Sequence, residues 1–308
     1  MPSILTHYYF INDCINESFP FLKNEERIAL LGAQGTDPFY FYGNLLKRSD
    51  KKEINGFASL IHNSNPASLY IHFINEANKC DNEHRDFLFS YIFGLLNHYV
   101  LDRTTHPYVF YHSGIDEGFM KKHQKFETNI DVLLRLHYNE YIKPCNTIKN
   151  DIDDVSEISK IYFSYSNDTN GDLEEDTFIK AYKDMYKIQK VLYSPIGFKK
   201  WIFHTFLKNS TVDNTSMPKR ITDGIDYLNL EKKLWQHPTK NFKMSLSFIE
   251  LLDLAKKEFN KLGKIILKAY NKEEYEKELI NFIDDINHSG IKVNDKMIYS
   301  NPIIEQSE

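Results

Sequence analysis

Apolar residues along the chain recur mainly at intervals of three and four, the spacing that places side chains on one face of an α-helix. Ile4, Tyr8, Ile11 and Ile15 follow this spacing near the start of the chain. Runs that alternate between apolar and polar residues and end at turn-forming residues, which would indicate strands, are scarce. The pattern therefore predicts an all-α protein built as a multi-helix bundle.

The same periodicity, together with turn and proline signals, gives the extent of each predicted helix. The predicted helices cover residues 3–18, 24–33, 51–63, 66–80, 84–103, 116–142, 175–193, 197–209, 246–270 and 273–286. We expect the helix over 84–103 to end before Pro107, because a residue that precedes proline is pushed out of the α-helical region.

Two polar segments, 146–154 and 166–172, suggest where the chain divides. We expect a helical core over residues 1–150 and a C-terminal helical extension over residues 151–308 that packs on this core. Nine of the 12 histidines precede the first of these segments. We therefore expect any imidazole chemistry to be built from residues 1 to about 140.

Charge and composition exclude several classes of protein. The net charge of −5 without a basic block argues against non-specific binding to duplex nucleic acid, which depends on Lys and Arg. The longest apolar stretch, 87–101, is shorter than the roughly 20 residues that span a bilayer. The first residues lack the basic and apolar pattern of a signal peptide. The 3 Cys are widely spaced, which argues against a disulfide framework and favours a reducing compartment. These features predict a cytoplasmic protein without a transmembrane segment.

The residues around His98 carry the most informative polar pattern. On a helix, residues four apart share a face, so His98 and Asp102 can present an imidazole nitrogen and a carboxylate oxygen to one point. An unpaired imidazole in so apolar a helix would be costly to bury. His106 would lie about 12 Å beyond His98 on a continuous helix, but a helix that ends before Pro107 would let the loop turn His106 back towards a neighbouring ion.

A second pair with the same spacing follows at His123 and Glu127, with Asp131 one turn further along. One such pair is more often a surface ion pair than a metal site, so the repetition is what predicts metal binding. Imidazole and carboxylate ligands without thiolates favour zinc or another divalent ion in an open site. We assign Asp131 to orienting a ligand histidine rather than to binding the metal itself.

The order of these residues resembles the zinc-dependent phospholipase C family, whose all-helical fold holds three zinc ions and is shared with single-strand-specific nucleases. The two pairs match the family pattern with His106 between them. Thr6-His7, the Asp37-Pro38 loop and His62 match further positions in the same order. Trp201 and the segment 229–238 also resemble the later part of intracellular bacterial relatives. The resemblance implies a phospholipase C-like bundle whose first 150 residues bind metal.

The resemblance also implies ligands for two or three zinc ions. These ligands are His7, Asp37, His62, His98, Asp102, His106, His123 and Glu127. The first ion would be held by Asp37, His62, His98 and Asp102, and the third by His106, His123 and Glu127. Asp102 would bridge to a second ion that also takes His7. Secreted members use their amino terminus as a further ligand, a role that Pro2 would take here once Met1 is removed.

The resemblance implies that the chain is a metal-dependent hydrolase of phosphodiesters, with phospholipids as candidate substrates, and that the residue matching Asp37 activates the attacking water. A nuclease-like phosphodiesterase and a non-catalytic protein stabilised by metal are the alternatives. The aromatic run at 39–42 would line a wall of the cleft for a lipid headgroup or a nucleobase, and it also fits burial in the core. The histidines without a family counterpart are interpreted as structural or surface residues: His72, His84, His112 and His137.

Overall fold

Helices form nearly all of the regular structure. The computed structural model describes residues 4–304, except residues 17, 24, 117, 170, 193–216 and 219. The helices in this part of the chain are α1 (Ile4–Cys14), α2 (Glu26–Gly32), α3 (Pro38–Phe41), α4 (Lys51–Asn63), α5 (Ala67–Lys79), α6 (Asn82–Ser113), α7 (Phe119–His137), α8 (Pro144–Thr147), α9 (Ile152–Asp168), α10 (Thr177–Leu192), α11 (Phe248–Tyr270) and α12 (Glu276–Ile283). A 3₁₀ turn (Pro20–Leu22) and an antiparallel pair of strands, β1 (Trp235–Gln236) and β2 (Lys243–Met244), complete the described elements. The all-α prediction is confirmed, and the predicted helix over 197–209, with Trp201, lies outside the described residues.

The longest helix, α6, runs through the middle of the bundle. Its 32 residues extend over about 48 Å. Every residue from Leu88 to Asp102 is buried, because this segment is apolar on nearly all sides rather than along one stripe. The helices α2, α5, α7 and α11 pack around it. His98 and Asp102 therefore lie in one of the most enclosed parts of the chain.

The prediction that this helix ends before Pro107 is wrong, because α6 continues through the proline to Ser113. Pro107 has no N–H group for the carbonyl oxygen of Arg103, and an internal proline costs a helix about 3 kcal/mol. Beyond it, Tyr108 is fully buried and its ring centroid lies 5.2 Å from that of Trp235. We infer that the packing of these last turns outweighs the cost of the proline.

The apolar pattern predicts no helix over 152–168, yet α9 occupies this range. Acidic residues and serines conceal the three-and-four spacing of its buried residues Val155, Ile158 and Tyr162. This face packs against α5 and α10. In contrast, the helices predicted over 51–63, 66–80 and 246–270 are present to within two residues at each end. The division of the chain at residue 150 stays a prediction.

Two glycines let α2 and α6 meet backbone to backbone. A Cβ atom at Gly94 would lie 2.1 Å from the carbonyl oxygen of Ala29, and one at Gly32 would lie 2.2 Å from the backbone of α6. Any larger residue at these positions would push the helices apart. The close contact brings the carbonyl oxygen of Ala33 to 3.1 Å from Nδ1 of His98.

The C-terminal part of the chain covers the other side of α6. Ser247 and Glu250 form a capping box at the start of α11, in which each side chain accepts a hydrogen bond from the backbone N–H of the other. α11 packs along α6 and α1. After α12 the chain turns back towards α4, where the N–H of His288 donates to the carbonyl oxygen of His62. None of the described helices has both the length and the apolar character that crossing a membrane requires.

The glycine contact leads to a testable prediction. Gly94→Ala is expected to lower the free energy of unfolding by at least about 1–3 kcal/mol, since the new methyl group overpacks a backbone contact. Gly56→Ala is the matched control, because Gly56 lies inside α4 and its Cβ would meet no described atom within 4 Å. This control should raise the free energy by about 0.5–1 kcal/mol. Urea unfolding followed by circular dichroism measures both, and a stabilising effect of Gly94→Ala would contradict the packing described.

Candidate metal centre

Eight side chains with nitrogen or oxygen ligand atoms meet between α1, α4, α6, α7 and the turn before α3. They are the eight residues that the resemblance implies: His7, Asp37, His62, His98, Asp102, His106, His123 and Glu127. Their ligand atoms form three groups, and within each group all the atoms lie within 4.8 Å of one another. Residues that are far apart in the sequence are thus brought to one place by the fold.

The first group joins Asp37, His62 and His98. Oδ1 of Asp37 lies 3.0 Å from Nε2 of His62, and its Oδ2 lies 3.8 Å from Nε2 of His98. The turn before Pro38 makes this possible. Gly35 in that turn lies against the ring of His98, where a Cβ atom would be only 2.3 Å from Cδ2. The carboxylate of Asp37 can therefore approach both imidazoles.

The second group contains His98 again, together with His7 and Asp102. The rings of His7 and His98 are stacked with their centroids 4.4 Å apart. Oδ1 of Asp102 lies 3.3 Å from Nε2 of His7, and Oδ2 lies 3.1 Å from Nε2 of His98. Because its two oxygen atoms face different histidines, Asp102 has the arrangement that a bridging ligand needs.

The third group contains His106, His123 and Glu127. Oε1 of Glu127 lies 3.3 Å from Nε2 of His106 and 3.1 Å from Nε2 of His123. His106 reaches this group from within α6 and not from a loop, which corrects the expectation based on Pro107. Two turns of helix separate it from His98, so α6 itself extends from the first two groups to the third. Nδ1 of His106 lies 3.7 Å from Oδ2 of Asp102.

Backbone carbonyl groups hold three of the imidazole rings in place. Nδ1 of His98 lies 3.1 Å from the carbonyl oxygen of Ala33. Nδ1 of His62 lies 3.0 Å from the carbonyl oxygen one turn earlier in α4, and Nδ1 of His106 lies 2.7 Å from the carbonyl oxygen of His288. A carbonyl oxygen accepts only from a protonated nitrogen, so in the neutral ring these contacts leave the lone pair on Nε2. Zinc-binding histidines commonly have such a contact.

Several buried ligand atoms have no hydrogen-bond partner among the described residues. They include Oδ2 of Asp37 and Oε2 of Glu127. A buried polar atom without a partner costs about 1–3 kcal/mol, and a divalent cation would satisfy several of these atoms together. Imidazole nitrogens and carboxylate oxygens without thiolates are donors that suit zinc. The residues present therefore fit zinc ions.

The charges in the centre favour ionised carboxylates. Burial raises the pKa of Glu127, but His123 and His106 hold it well below its usual range. Burial likewise opposes ionisation of Asp102, and His106 and His98 hold its pKa well below the usual range. Burial lowers the pKa of His106, yet Asp102 and Glu127 raise it to about 9. The carboxylates of Glu127 and Asp102 are thus in the form that binds cations, and metal binding would displace protons from the imidazoles.

A cleft of about 530 Å³ opens over the three groups. Six of the eight side chains line its floor: Asp37, His62, Asp102, His106, His123 and Glu127. Uncharged polar and apolar side chains line its walls, among them Tyr40, Asn55, Ser59, Phe110, Phe119 and Met120. In the aromatic run at 39–42, Tyr40 lines the cleft and its three aromatic neighbours are buried core. The run therefore contributes one residue to the wall.

A sequence model of the family described as zinc-dependent phospholipase C matches residues 6–189. The match covers more than half of the chain and contains all eight residues of the three groups. The chain belongs to the zinc-dependent phospholipase C family. No curated protein and no solved structure matches the chain significantly. The resemblance inferred from the sequence is thus confirmed, and the zinc dependence of the phospholipase C family agrees with the donor atoms found in the centre.

The expectation that Asp131 orients a ligand histidine is wrong. Its carboxylate accepts hydrogen bonds from the N–H of Leu5 at 3.1 Å, and from the N–H and the hydroxyl of Thr6 at 2.7 Å each. Asp131 thereby caps the first turn of α1, the helix that carries His7. Burial raises the pKa of Asp131 to about 7, although the hydrogen bonds from Thr6 and Leu5 act in the opposite direction. The hydrogen bonds of Asp131 thus connect α7 to α1, the helix that carries His7.

Sequence reasoning missed His288, which adjoins the centre. Its ring centroid lies 4.6 Å from that of His62 and 5.7 Å from that of His98. Burial, with the two neighbouring imidazoles, lowers the pKa of His288 well below its usual value. The expectation that residues 1 to about 140 hold all the imidazoles of the site is therefore incomplete. The suggested ligand Pro2 lies outside the described residues.

The capping role of Asp131 predicts different effects for two variants. Asp131→Ala should lower the free energy of unfolding by about 1–3 kcal/mol, because it leaves the N–H groups of Leu5 and Thr6 without their acceptor. It should weaken zinc binding less than His98→Ala, which removes a candidate ligand. Urea unfolding without zinc and a zinc titration against a chelator measure the two quantities. An equal loss of zinc affinity in both variants would rule out a purely positioning role.

Proposed function

We propose that the chain is a zinc-dependent phosphodiester hydrolase of the phospholipase C type, that it uses two or three zinc ions, and that its substrate is a phospholipid. The main support is the convergence of three carboxylates and five imidazoles beneath one cleft, six of them on its floor, with buried ligand atoms that lack partners among the described residues. The family of the chain gives the reaction class.

In this proposal each of the three groups holds one ion. Asp37, His62 and His98 would hold the first, His7 and Asp102 the second, and His106, His123 and Glu127 the third. Asp102 would be shared between the first and the second. Bound divalent ions offset the charge of a phosphodiester and lower the pKa of a bound water towards about 7. Backbone contacts to Nδ1 of three histidines would keep Nε2 directed at the ions.

Asp37 is the residue that we assign to proton transfer. Its Oδ1 faces His62, whereas its Oδ2 is buried at the cleft floor without a hydrogen-bond partner among the described residues. This oxygen would accept the proton of the attacking water. A positioned carboxylate commonly contributes 10²- to 10⁴-fold to such a reaction.

The walls of the cleft support a diester with an apolar portion as the substrate. None of the described lining residues is Lys or Arg, so the walls offer no cationic side chain for a second phosphate group. Phe110, Phe119 and Met120 provide apolar surface, and Met120 is 47% exposed. Asn55 and Ser59 offer hydrogen-bonding groups for a polar headgroup. The apolar wall thus fits the acyl end of a phospholipid, and the polar side chains fit its headgroup.

Turnover of a short-chain phosphatidylcholine, followed by release of phosphocholine, tests the proposed function. His98→Ala and Asp102→Ala should lose zinc and activity together, by more than about 100-fold, because losing a ligand costs more than losing one of its outer partners. His137→Ala is the matched control, since His137 is an exposed histidine at the end of α7. Elemental analysis gives the zinc content of each variant.

Three outcomes would contradict parts of this proposal. Full zinc content in His98→Ala would contradict the ligand assignment. Cleavage of a single-stranded oligonucleotide without cleavage of phosphatidylcholine would overturn the lipid substrate in favour of a nuclease. Zinc binding without cleavage of either compound would favour a protein that uses metal for stability alone.

The role of Asp37 can be separated from metal binding. Asp37→Asn keeps a side-chain oxygen that can bind zinc but removes the proton acceptor. This variant is expected to retain more zinc than Asp37→Ala, while its kcat falls by about 10²- to 10⁴-fold. Zinc content and kcat are measured on the same preparation. Native turnover in Asp37→Asn would show that another group accepts the proton.

A further inference from the structure

A turn at residues 284–291 brings the C-terminal part of the chain into the candidate metal centre. The turn follows α12 and lies outside residues 6–189, which the family model matches. Asp284 and Asp285 have φ values of 48° and 58°. Non-glycine residues rarely adopt this left-handed conformation, and it persists only where the surroundings hold it.

His288 is the residue through which the turn contacts two proposed zinc ligands. Its carbonyl oxygen accepts a hydrogen bond from Nδ1 of His106 at 2.7 Å. Its N–H donates to the carbonyl oxygen of His62 at 3.2 Å. Its ring packs against the ring of His62, and its Nε2 lies 3.2 Å from the hydroxyl oxygen of Tyr70. One residue thus contacts His62 of the first group and His106 of the third.

Gly290 fits the turn against α6 at the site of the proline. Pro107 leaves the carbonyl oxygen of Arg103 without a helical N–H, and Gly290 lies directly against this carbonyl group. A Cβ atom at Gly290 would be 2.2 Å from the Arg103 oxygen and 2.7 Å from Cγ of Pro107. Its φ of 73° also disfavours any other residue. The interruption in the α6 hydrogen bonds is therefore where the turn docks.

Further hydrogen bonds hold the turn independently of the metal ligands. The hydroxyl of Tyr99 donates to the carbonyl oxygen of Ile286 at 2.7 Å. The side-chain amide of Asn287 donates to the carbonyl oxygen of Asn63 at 3.4 Å. These bonds tie the turn to α6 and to the end of α4. The position of the His288 carbonyl group is thus set by the fold and does not depend on His106 alone.

We propose that the turn at 284–291 is a positioning element of the zinc centre, which holds the rings of His106 and His62 in the orientation that binds metal. This proposal rests on the proposed ligand roles of those two histidines. The carbonyl oxygen of His288 keeps the proton of His106 on Nδ1, so that Nε2 remains a ligand atom. The ring of His288 fills the space beside His62. The centre is then incomplete without the C-terminal part of the chain.

Zinc affinity of the full chain, measured by competition with a chelator, tests this proposal. Gly290→Ala adds one methyl group that must move the turn away from α6, although Gly290 is no ligand. We expect zinc affinity to fall about 10- to 100-fold, as is typical when the outer partner of a ligand histidine is lost. Gly224→Ala is the matched control, because Gly224 has a φ of 74° and a Cβ there would meet no described atom within 4 Å.

A second pair of variants covers the case in which Gly290→Ala does not fold. His288→Ala adds no atom to the turn, but it removes the ring that packs against His62. It should also lower zinc affinity, and His288→Phe, which restores a ring of similar shape, should recover part of the loss. Urea unfolding without zinc is measured for every variant, so that a change in zinc affinity is compared with the change in stability.

The outcomes separate this inference from the proposed function. Zinc affinities in Gly290→Ala and His288→Ala equal to those of the native chain and Gly224→Ala, with stability alone reduced, would overturn the positioning role and leave the hydrolase proposal intact. A native chain that binds zinc without cleaving phosphodiesters, together with weakened binding in the two variants, would support the positioning role and overturn the hydrolase. A native chain that binds no zinc would overturn both.

Discussion

The candidate metal centre depends on one electrostatic constraint, the enclosure of three carboxylates and five imidazoles together inside an apolar bundle. Asp37, Asp102 and Glu127 are each at most 5% exposed, and in the described part of the chain their ion-pair partners are all histidines. Buried carboxylates are costly unless a positive charge compensates them. Protonated imidazoles do so in part, whereas divalent cations carry more charge and would also satisfy the unpartnered oxygen atoms. The zinc dependence of the family is therefore what these electrostatics favour.

Because α6 is uninterrupted, it fixes the relative positions of three of the candidate ligands. His98, Asp102 and His106 follow one another at intervals of four on a single helix, so their side chains form one row. α2 approaches this row closely because Gly94 has no side chain, and α7 supplies the remaining pair. Pro107 does not interrupt the row, and Gly290 packs against the carbonyl group of Arg103, to which Pro107 offers no helical N–H. The C-terminal turn thus packs at the point in α6 where Pro107 removes one helical hydrogen bond.

The spacing of residues predicts ligand pairs that lie on one helix. The resemblance to a family predicts which residues from different helices join them as candidate metal ligands. The pairs at 98–102 and 123–127 are brought together as the spacing of four implied. Local signals failed where packing outweighed them: they ended α6 at Pro107, and they left α9 unpredicted. The contacts of Asp131 with α1 and of His288 with α4 and α6 could not be predicted, because each joins segments more than 120 residues apart that only the complete fold brings together.

Anomalous diffraction at the zinc absorption edge, from crystals of the native chain equilibrated with zinc, is the direct test for ions in this centre. We expect two or three anomalous peaks, each about 2.0–2.2 Å from imidazole nitrogens and carboxylate oxygens of the three groups described. Crystals in which the imidazoles and carboxylates keep their direct contacts, with no anomalous peak between them, would contradict the zinc centre.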